Sequence, residues 1–231
     1  MNALPNISLT DYVALIKNDP IQSASIHRQF TSSYDQFIEL FYQTLDFTIA
    51  LIEENPQFQQ DRSEDELTDQ IVRSLKIAGY DVTQGTTGGG NKDITVKWRN
   101  PMWSWIGEAK IYKSIASLRE GFLQLITRYR TSDPRHTQGG LIAYTFRPKA
   151  AQLLKEWMDE VVTVPEAEGI KVEQCNIKRD LAYITIHDHV ATGLPCRIRH
   201  VSVALYFLPQ DKSGRTAKKY ARRRKAATTA N

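Results

Sequence analysis

The sequence predicts an α/β fold in which helices flank a mixed β-sheet. From residue 63 onward, segments of helical and strand periodicity follow in the order helix, three strands, helix, strand, helix and further strands. Two of these segments, residues 93–98 and 103–111, alternate polar and apolar side chains as half-buried strands do. Helices and strands interleaved in this way pack as a sheet covered by helices.

The first 58 residues are predicted to form a helical N-terminal extension. A short helix over residues 8–17 begins at a Ser8 or Thr10 cap, and residues 21–54 carry apolar side chains at helical spacing. Proline-containing turns follow both segments. We expect the extension to pack on the rest of the chain or on a second subunit.

The main domain is predicted to span residues 59–210. A helix from a Ser63 cap to Ala78 ends at Gly79. The next segments are a short strand at 80–84, a glycine-rich loop at 85–91 and a hairpin at 93–111 that turns at Asn100-Pro101. The later segments are helices at 114–130 and 148–159 and strands at 140–146, 170–177, 181–187 and 197–207.

The chain ends in a basic segment, residues 211–231. Eight lysines and arginines against one aspartate give this segment a charge of +7, which leaves −3 for residues 1–210. Such a tail suits non-specific attraction to phosphate, with an affinity that falls as salt rises. A solvated tail that only maintains solubility is the alternative.

Several classes of protein are disfavoured by the sequence. No apolar run approaches the ~20 residues of a membrane-spanning helix, and no phosphate-binding G-x-x-x-x-G-K-[ST] loop is present. The N-terminus lacks the pattern of a secretory signal. Cys175 and Cys196 stand alone in strand-like segments and are interpreted as small buried hydrophobes. We therefore expect a cytoplasmic protein that does not bind membranes.

The predicted hairpin places three ionisable side chains on one face of the sheet. Period-two alternation puts Glu108 and Lys110 on the same face of one strand, and Asp93 on the neighbouring strand can join them. Burying these charges costs several kcal/mol unless something compensates. A divalent cation would compensate the two carboxylates, and the lysine can pair with the remaining oxygen. The alternative is an exposed ion pair on a surface hairpin, worth at most about 1 kcal/mol.

Asp93, fourteen intervening residues and then Glu108-Ala109-Lys110 resemble the D-x(n)-E-x-K signature of the PD-(D/E)xK phosphodiesterase superfamily, which includes restriction endonucleases and resolvases. The resemblance covers roughly residues 63–146, and Lys92 stands where the superfamily's name has proline. It implies a restriction-endonuclease-like mixed sheet flanked by helices, to which this chain adds the N-terminal helices and further C-terminal strands.

A carboxylate on the preceding helix is common in that superfamily, and this chain offers Glu64 and Glu66. At about 100° per residue, Glu64 falls in line with the apolar stripe of Leu67, Ile71 and Leu75, whereas Glu66 points the other way. Glu64 is therefore expected to face the sheet as the third acid.

The helix after the E-x-K strand carries a polar line that includes Gln124 and Arg128. Gln124 followed by Arg128-Tyr129 is similar to the Q-x(3)-Y motif of the RecB-like branch, although the tyrosine lies one position later. Gln124 and Arg128 are expected to reach a substrate phosphate or the carboxylates.

The resemblance implies metal-dependent phosphodiester hydrolysis that leaves a 5′-phosphate and a 3′-hydroxyl. Asp93, Glu108, the carbonyl of Ala109 and Glu64 would bind one or two Mg²⁺ or Mn²⁺ ions. Lys110 would position the attacking water or stabilise the growing negative charge. The catalytic candidates are Asp93, Glu108, Lys110, Glu64 and Gln124. The Gly88-Gly89-Gly90 run would let the backbone approach a phosphate chain, or would serve as a flexible connection.

The function expected is that of a DNA endonuclease, a prokaryotic restriction or anti-phage effector that works as a homo-oligomer or with a regulatory partner. That biological setting is an analogy. A non-catalytic nucleic-acid-binding or assembly module and a ribonuclease are the alternatives. Two other clusters favour structural interpretations: His187 and His189 as polar exposed residues at a strand end, and Trp98, Trp103 and Trp105 as core or contact residues.

Overall fold

A computed structural model describes residues 7–87, 91–98, 103–129, 133–167, 169–189 and 192–210. These residues form an α/β structure in which six α-helices surround an open, mixed sheet of seven strands. The predicted α/β class is therefore confirmed. The Gly88-Gly89-Gly90 run, the Asn100-Pro101 turn and the basic tail lie outside the described residues.

Three helices form the N-terminal part. They are α1 (Leu9–Ile16), α2 (Pro20–Gln29) and α3 (Tyr34–Glu53). Residues 21–54 therefore hold two helices where a single helical segment had been predicted. The break has a local cause: the Thr31 hydroxyl bonds back to the Arg28 carbonyl, and Ser33 Oγ accepts the Gln36 N–H as the cap of α3. Ser8 caps α1 as predicted.

The remaining elements begin with α4 (Glu64–Ile77). Then come β1 (Asp81–Thr83), the two-residue strands β2 (Thr86–Thr87) and β3 (Asn91–Lys92), β4 (Ile94–Trp98), β5 (Trp103–Ile111), α5 (Ile115–Gln124), β6 (Gln138–Thr145), α6 (Ala150–Val161), β7 (Lys171–Gln174), β8 (Ala182–Asp188) and β9 (Pro195–Ala204). Within a few residues, these bounds confirm the predicted helices and strands. The helix predicted to run to residue 130 instead changes after Gln124 into a π-helical turn, Leu125–Tyr129.

The order of strands in the sheet is β1-β4-β5-β6-β9-β8-β7. β4 and β5 form the predicted antiparallel hairpin, with Ile94 opposite Gly107. The central strands β5, β6 and β9 are mutually parallel, so their C-terminal ends lie at one edge of the sheet. We call this edge the C-terminal edge. The antiparallel strand β4 begins there, immediately after Asp93.

Each face of the sheet packs against its own helices. Apolar residues of α3 and α4 meet Val96, Trp105 and Ala109 on one face. On the other face, α5 and α6 cover Ile106, Leu141 and Ala143. Helix α3 thus shares one continuous core with α4 and the sheet. Trp105 is 1% exposed in this core, which agrees with its interpretation as a core residue.

Two buried arginines connect the N-terminal helices to the sheet layer. Arg28 of α2 donates to the Ala78 and Gly79 carbonyls at the end of α4 and lies over the rings of Tyr80 and Trp98. Arg199 of β9 forms a 2.6 Å ion pair with Asp46 of α3. Breaking a buried pair of this kind is strongly destabilising.

His187 corrects one interpretation made from the sequence. It is 5% exposed and its ring lies 5.9 Å from that of Phe122 in the core beneath α5, so it is not an exposed residue at a strand end. The physical reason is that alternate residues of β8 face this core. His189 lies beyond the strand and contacts Thr192. Cys175 and Cys196 are buried free thiols, as predicted.

Among the described residues, no helix has both the length and the apolar character required to cross a membrane.

Candidate active site

The candidate site lies at the C-terminal edge, where β4 begins and β5 ends. Asp93 comes one step beyond the Ile94–Gly107 pair, so the register places it opposite Glu108. Side chains directly opposite each other on neighbouring strands share a face. Glu108, Lys110 and Asp93 therefore emerge on the face that α5 covers, as the alternation of the two strands predicted.

Glu108 is the most deeply buried charged group of the site, with 1% of its surface exposed. Its Oε1 lies 2.6 Å from the Lys110 ammonium. Among the described residues, none donates a hydrogen bond to its buried Oε2. An unpartnered buried carboxylate oxygen is costly unless a cation or a proton satisfies it.

Burial raises the pKa of Glu108 to about 7, since the hydrogen bond from Lys110 offsets only part of the loss of solvent and Asp93 adds repulsion. Burial also raises the pKa of Asp93, despite the hydrogen bond from Ala109 and the attraction of Lys110. For Lys110, burial alone would lower the pKa; the hydrogen bond to Glu108 and the nearby carboxylates outweigh it, and the pKa is raised. The site thus holds more negative charge than one lysine balances.

Asp93 bonds to the backbone of the strand that carries the other two residues. Its Oδ2 accepts the Ala109 N–H at 2.8 Å. The N–H and C=O of one strand residue point to the same side of the strand, so the Ala109 carbonyl is directed toward the Asp93 side of β5. This orientation suits the predicted role of that carbonyl as a metal ligand.

Glu64 reaches the site from α4, on the opposite face of the sheet. Its Oε2 accepts the Ile111 N–H at 2.7 Å, and its Oε1 lies 3.5 Å from the Lys110 ammonium. Glu66 is instead used in the capping box with Ser63. The helical projection therefore chose correctly which glutamate faces the sheet.

The contacts of Glu64 are those of a residue that fixes the end of β5 and the position of Lys110. Among the described residues, no three His, Cys, Asp or Glu side chains are assembled as a metal-binding group. Both Glu64 oxygens are engaged by β5, and the Lys110 ammonium lies between Glu64 and Glu108.

The two remaining carboxylates, those of Asp93 and Glu108, still suit a divalent cation. Asp93 and Glu108 are adjacent carboxylates with raised pKa values, and Glu108 Oε2 is buried without a hydrogen-bond donor among the described residues. Hard cations such as Mg²⁺ prefer oxygen ligands of this kind.

Gly121 brings α5 close to the lysine, a role that was not predicted from the sequence. A Cβ at this position would lie 2.8 Å from Lys110 Cγ and 3.0 Å from Leu141 Cδ1. The absence of a side chain therefore allows α5 to cover the aliphatic part of Lys110. A glycine opposite the signature lysine is recognisable only once the packing of the helix is known.

Gln124 lies three residues beyond Gly121 on α5 and is half-buried. It makes no hydrogen bond to Asp93, Glu108, Lys110 or Glu64, so the predicted contact with the carboxylates is not present. Its predicted contact with a substrate phosphate stays a prediction. The Arg128 and Tyr129 side chains lie outside the described residues.

Tyr144 of β6 is a further buried polar residue near the site that the sequence analysis missed. Its hydroxyl lies 3.2 Å from Thr68 Oγ1, and Thr68 in turn donates to the Glu64 carbonyl. Burial raises the Tyr144 pKa, with a contribution from the negative charges of Asp93 and Glu64. Tyr144 therefore stays neutral and connects the start of α4 to the sheet.

The described part of the chain also contains a cavity of about 390 Å³. It lies between the first half of α3 and strands β7–β9, and its lining includes Asp35, Tyr42, Gln138 and Cys175. None of the four charged residues of the candidate site lines it.

No model of a known protein family matches the chain, and no curated protein or solved structure matches it either.

Proposed function

We propose that this protein is a metal-dependent endonuclease of the PD-(D/E)xK type that hydrolyses DNA phosphodiester bonds. The observation that carries the proposal is the convergence of Asp93, Glu108 and Lys110 on one face of the β4–β5 hairpin, with a buried Glu108 oxygen that no described residue satisfies. Three charged side chains packed against an apolar sheet, one of them almost completely buried, are expensive to maintain. Catalysis is a reason to keep them.

The topology around the hairpin supports the finer assignment to a restriction-endonuclease-like fold. A helix with an inward-facing glutamate precedes the sheet, the D/E-x-K hairpin follows, and α5 leads to the parallel strand β6. These are the parts that the sequence resemblance covers. The N-terminal helices and β7–β9 lie outside the part of the chain that the resemblance covers.

The residues suited to hold Mg²⁺ or Mn²⁺ are Asp93, Glu108 and the Ala109 carbonyl. When bound, the ion would neutralise the scissile phosphate and lower the pKa of a water molecule. Asp93 supplies an oxygen held in place by the Ala109 N–H, and Glu108 supplies the unpartnered Oε2. Glu64 is suited to act through Lys110 and Ile111 rather than as a direct ligand.

Lys110 is suited to orient the attacking water and to stabilise the negative charge that develops on the phosphoryl oxygens. The Lys110 side chain is 20% exposed, and its ammonium is held between Glu108 and Glu64. A preorganised cation at such a position acts on the transition state without having to be reoriented. Its raised pKa keeps it protonated at neutral pH, which favours the electrostatic role over that of a general base.

The experiment that tests the function is incubation of the purified protein with supercoiled plasmid DNA and Mg²⁺ or Mn²⁺. We expect nicked and linear products that are absent when EDTA is added. A structured RNA tested in parallel distinguishes a ribonuclease, since metal-bound carboxylates can direct attack on either backbone. Absence of cleavage of both nucleic acids over a range of metals and salt concentrations would contradict the proposal.

One observation favours a second candidate, a non-catalytic nucleic-acid-binding or assembly module. The Lys110 ammonium already pairs with both Glu108 and Glu64, so part of the charge is balanced without any ion. Such a module would bind DNA in the plasmid experiment but leave it uncut. A role as a prokaryotic restriction or anti-phage effector, with a second copy or a regulatory protein as partner, is the setting that we propose by analogy.

A further inference from the structure

Three cationic side chains lie at the C-terminal edge beside the candidate site. Lys113 follows the end of β5, and Arg147 and Lys149 follow the end of β6. All three are exposed. They form no ion pair with any described acidic residue. We call these residues the edge cluster.

The sheet itself brings the edge cluster together. β5 and β6 are adjacent and parallel, with Ile111 opposite Tyr144, and the Tyr112 N–H donates to the Tyr144 carbonyl at the end of the ladder. Neighbouring strands lie about 4.8 Å apart. The backbones that carry Lys113 and Arg147 therefore leave the sheet side by side.

Tyr112 connects the edge cluster to the candidate site. It lies two residues after Lys110, just past the end of β5, and residues i and i+2 of an extended chain share a face. The Arg147 guanidinium carbon lies 5.7 Å from the centre of the Tyr112 ring, within the range of a cation–π contact. Burial raises the pKa of Tyr112. The positive charge of Arg147 lowers this pKa and the negative charge of Glu156 raises it, so both charged groups lie near the ring.

Lys149 adopts a left-handed backbone conformation, with φ of 62°. Residues other than Gly, Asn and Asp rarely adopt this backbone conformation, so it is unfavourable for a lysine. Its amine is nevertheless exposed next to Arg147 on the same loop. Lys149 therefore presents an exposed cation from a backbone conformation that suits glycine.

From this arrangement we propose that the edge cluster binds the phosphate backbone of double-stranded DNA beside the bond at the candidate site. The inference rests on the proposed function, and it extends that function by naming the surface that holds the substrate. The cluster faces outward, lies on the edge that also carries Glu108 and Lys110, and has the charge that complements a phosphate chain. β9 ends at the same edge, since Ala204 lies opposite Thr145, only six residues before the basic tail begins.

The test uses full-length protein and a fluorescent DNA duplex in EDTA, so that binding is measured without cleavage. The variant is Arg147→Ala combined with Lys149→Gly, in which glycine relieves the left-handed backbone and so preserves the fold. Lys171→Ala is the matched control, because Lys171 is also an exposed lysine. It lies at the start of β7 and is in register with Ile186 and with Arg197 near the start of β9, at the end of the sheet opposite the C-terminal edge. Thermal melting of each protein confirms that it is folded.

In a plot of log affinity against log salt concentration, each phosphate contact contributes about 0.9 to the steepness of the slope. The double variant loses two contacts, and we therefore expect its slope to be shallower by about 1.8. The control should bind as the wild-type protein does. Unchanged affinity and slope in the double variant, or an equal loss in the control, would overturn the inference. Competition by polyglutamate as effective as that by DNA would also overturn it, because the surface would then accept any polyanion.

A second variant separates this inference from the proposed function. Lys110→Ala should bind the duplex normally. If it loses plasmid cleavage while the edge-cluster variant binds like the wild type, the endonuclease assignment stands and the inference is wrong. If the edge cluster carries binding but the wild-type protein never cuts, the inference stands and the endonuclease assignment is wrong.

Discussion

The Lys110 ammonium lies 2.6 Å from Oε1 of Glu108, although Glu108 is almost completely buried. The other oxygen of the same carboxylate has no donor among the described residues. One half of Glu108 is therefore balanced within the protein and the other half is left for a cation or a proton.

Metal binding should depend on pH through Glu108. Because its pKa is raised to about 7, the carboxyl keeps its proton over a range where an ordinary glutamate is ionised, and a metal ion must displace that proton. We expect the affinity for Mn²⁺ to rise between pH 6 and pH 7 and to level off above. Calorimetry in buffers of different ionisation enthalpy measures both affinity and proton release. Equal affinity at pH 6 and pH 8 would count against this role.

Glu64→Gln should impair catalysis while leaving the fold intact. The amide oxygen can still accept the Ile111 N–H, but the negative charge beside Lys110 is lost. Partners of this kind are worth about 10–100-fold in activity or metal affinity, and we expect a cleavage rate lower by that factor. Glu39→Gln on α3, which is exposed and distant, is the control. Because Glu64 acts through Lys110, Mn²⁺ affinity should change little; a complete loss of Mn²⁺ binding would show instead that Glu64 is a ligand.

Gly121→Ala should slow cleavage by displacing the lysine. The added Cβ would lie 2.8 Å from Lys110 Cγ, in the middle of the side chain, so the ammonium must move with it. Displacements of about 1 Å can cost about 100-fold in rate, and we expect a loss of that order with DNA binding retained. The exposed neighbour Glu120→Ala should cut normally. A Gly121→Ala protein that cuts at the wild-type rate would mean that the helix does not position Lys110.

Deletion of residues 211–231 should weaken DNA binding equally for all sequences. The tail carries a charge of +7. Its loss should make the slope of log affinity against log salt concentration shallower by about 0.9 for each phosphate contact removed. A variant with the tail residues in scrambled order keeps the charge and should bind like the wild type. A change in the preferred cleavage sequence after deletion would be incompatible with a purely electrostatic tail.

The parts of the site that could be predicted from the sequence are those governed by local periodicity. Alternation along β4 and β5 placed Asp93, Glu108 and Lys110 on one face, and the helical period selected Glu64 over Glu66. Both inferences need only the repeat of a single element and the presence of apolar neighbours.

The parts that were missed depend on contacts between elements distant in the chain. The close approach of Gly121 to Lys110 and the Arg147–Tyr112 contact follow from how α5 and β6 pack on β5, and no spacing in the sequence encodes them. The burial of His187 is similar, since period two along β8 cannot show that both faces of the strand are packed. The adjacency of β6 and β9 likewise joins segments more than fifty residues apart.

In the proposed function, Lys110, Glu108 and Asp93 together cut a phosphodiester backbone. The most direct measurement compares nicking of supercoiled plasmid in Mg²⁺ by the wild-type protein, by Lys110→Ala and by Lys97→Ala, an exposed lysine at the far end of β4. We predict that Lys110→Ala loses cleavage by at least about 100-fold while Lys97→Ala keeps it and both bind DNA normally. Cleavage by Lys110→Ala at the wild-type rate would show that Lys110 is not a catalytic residue.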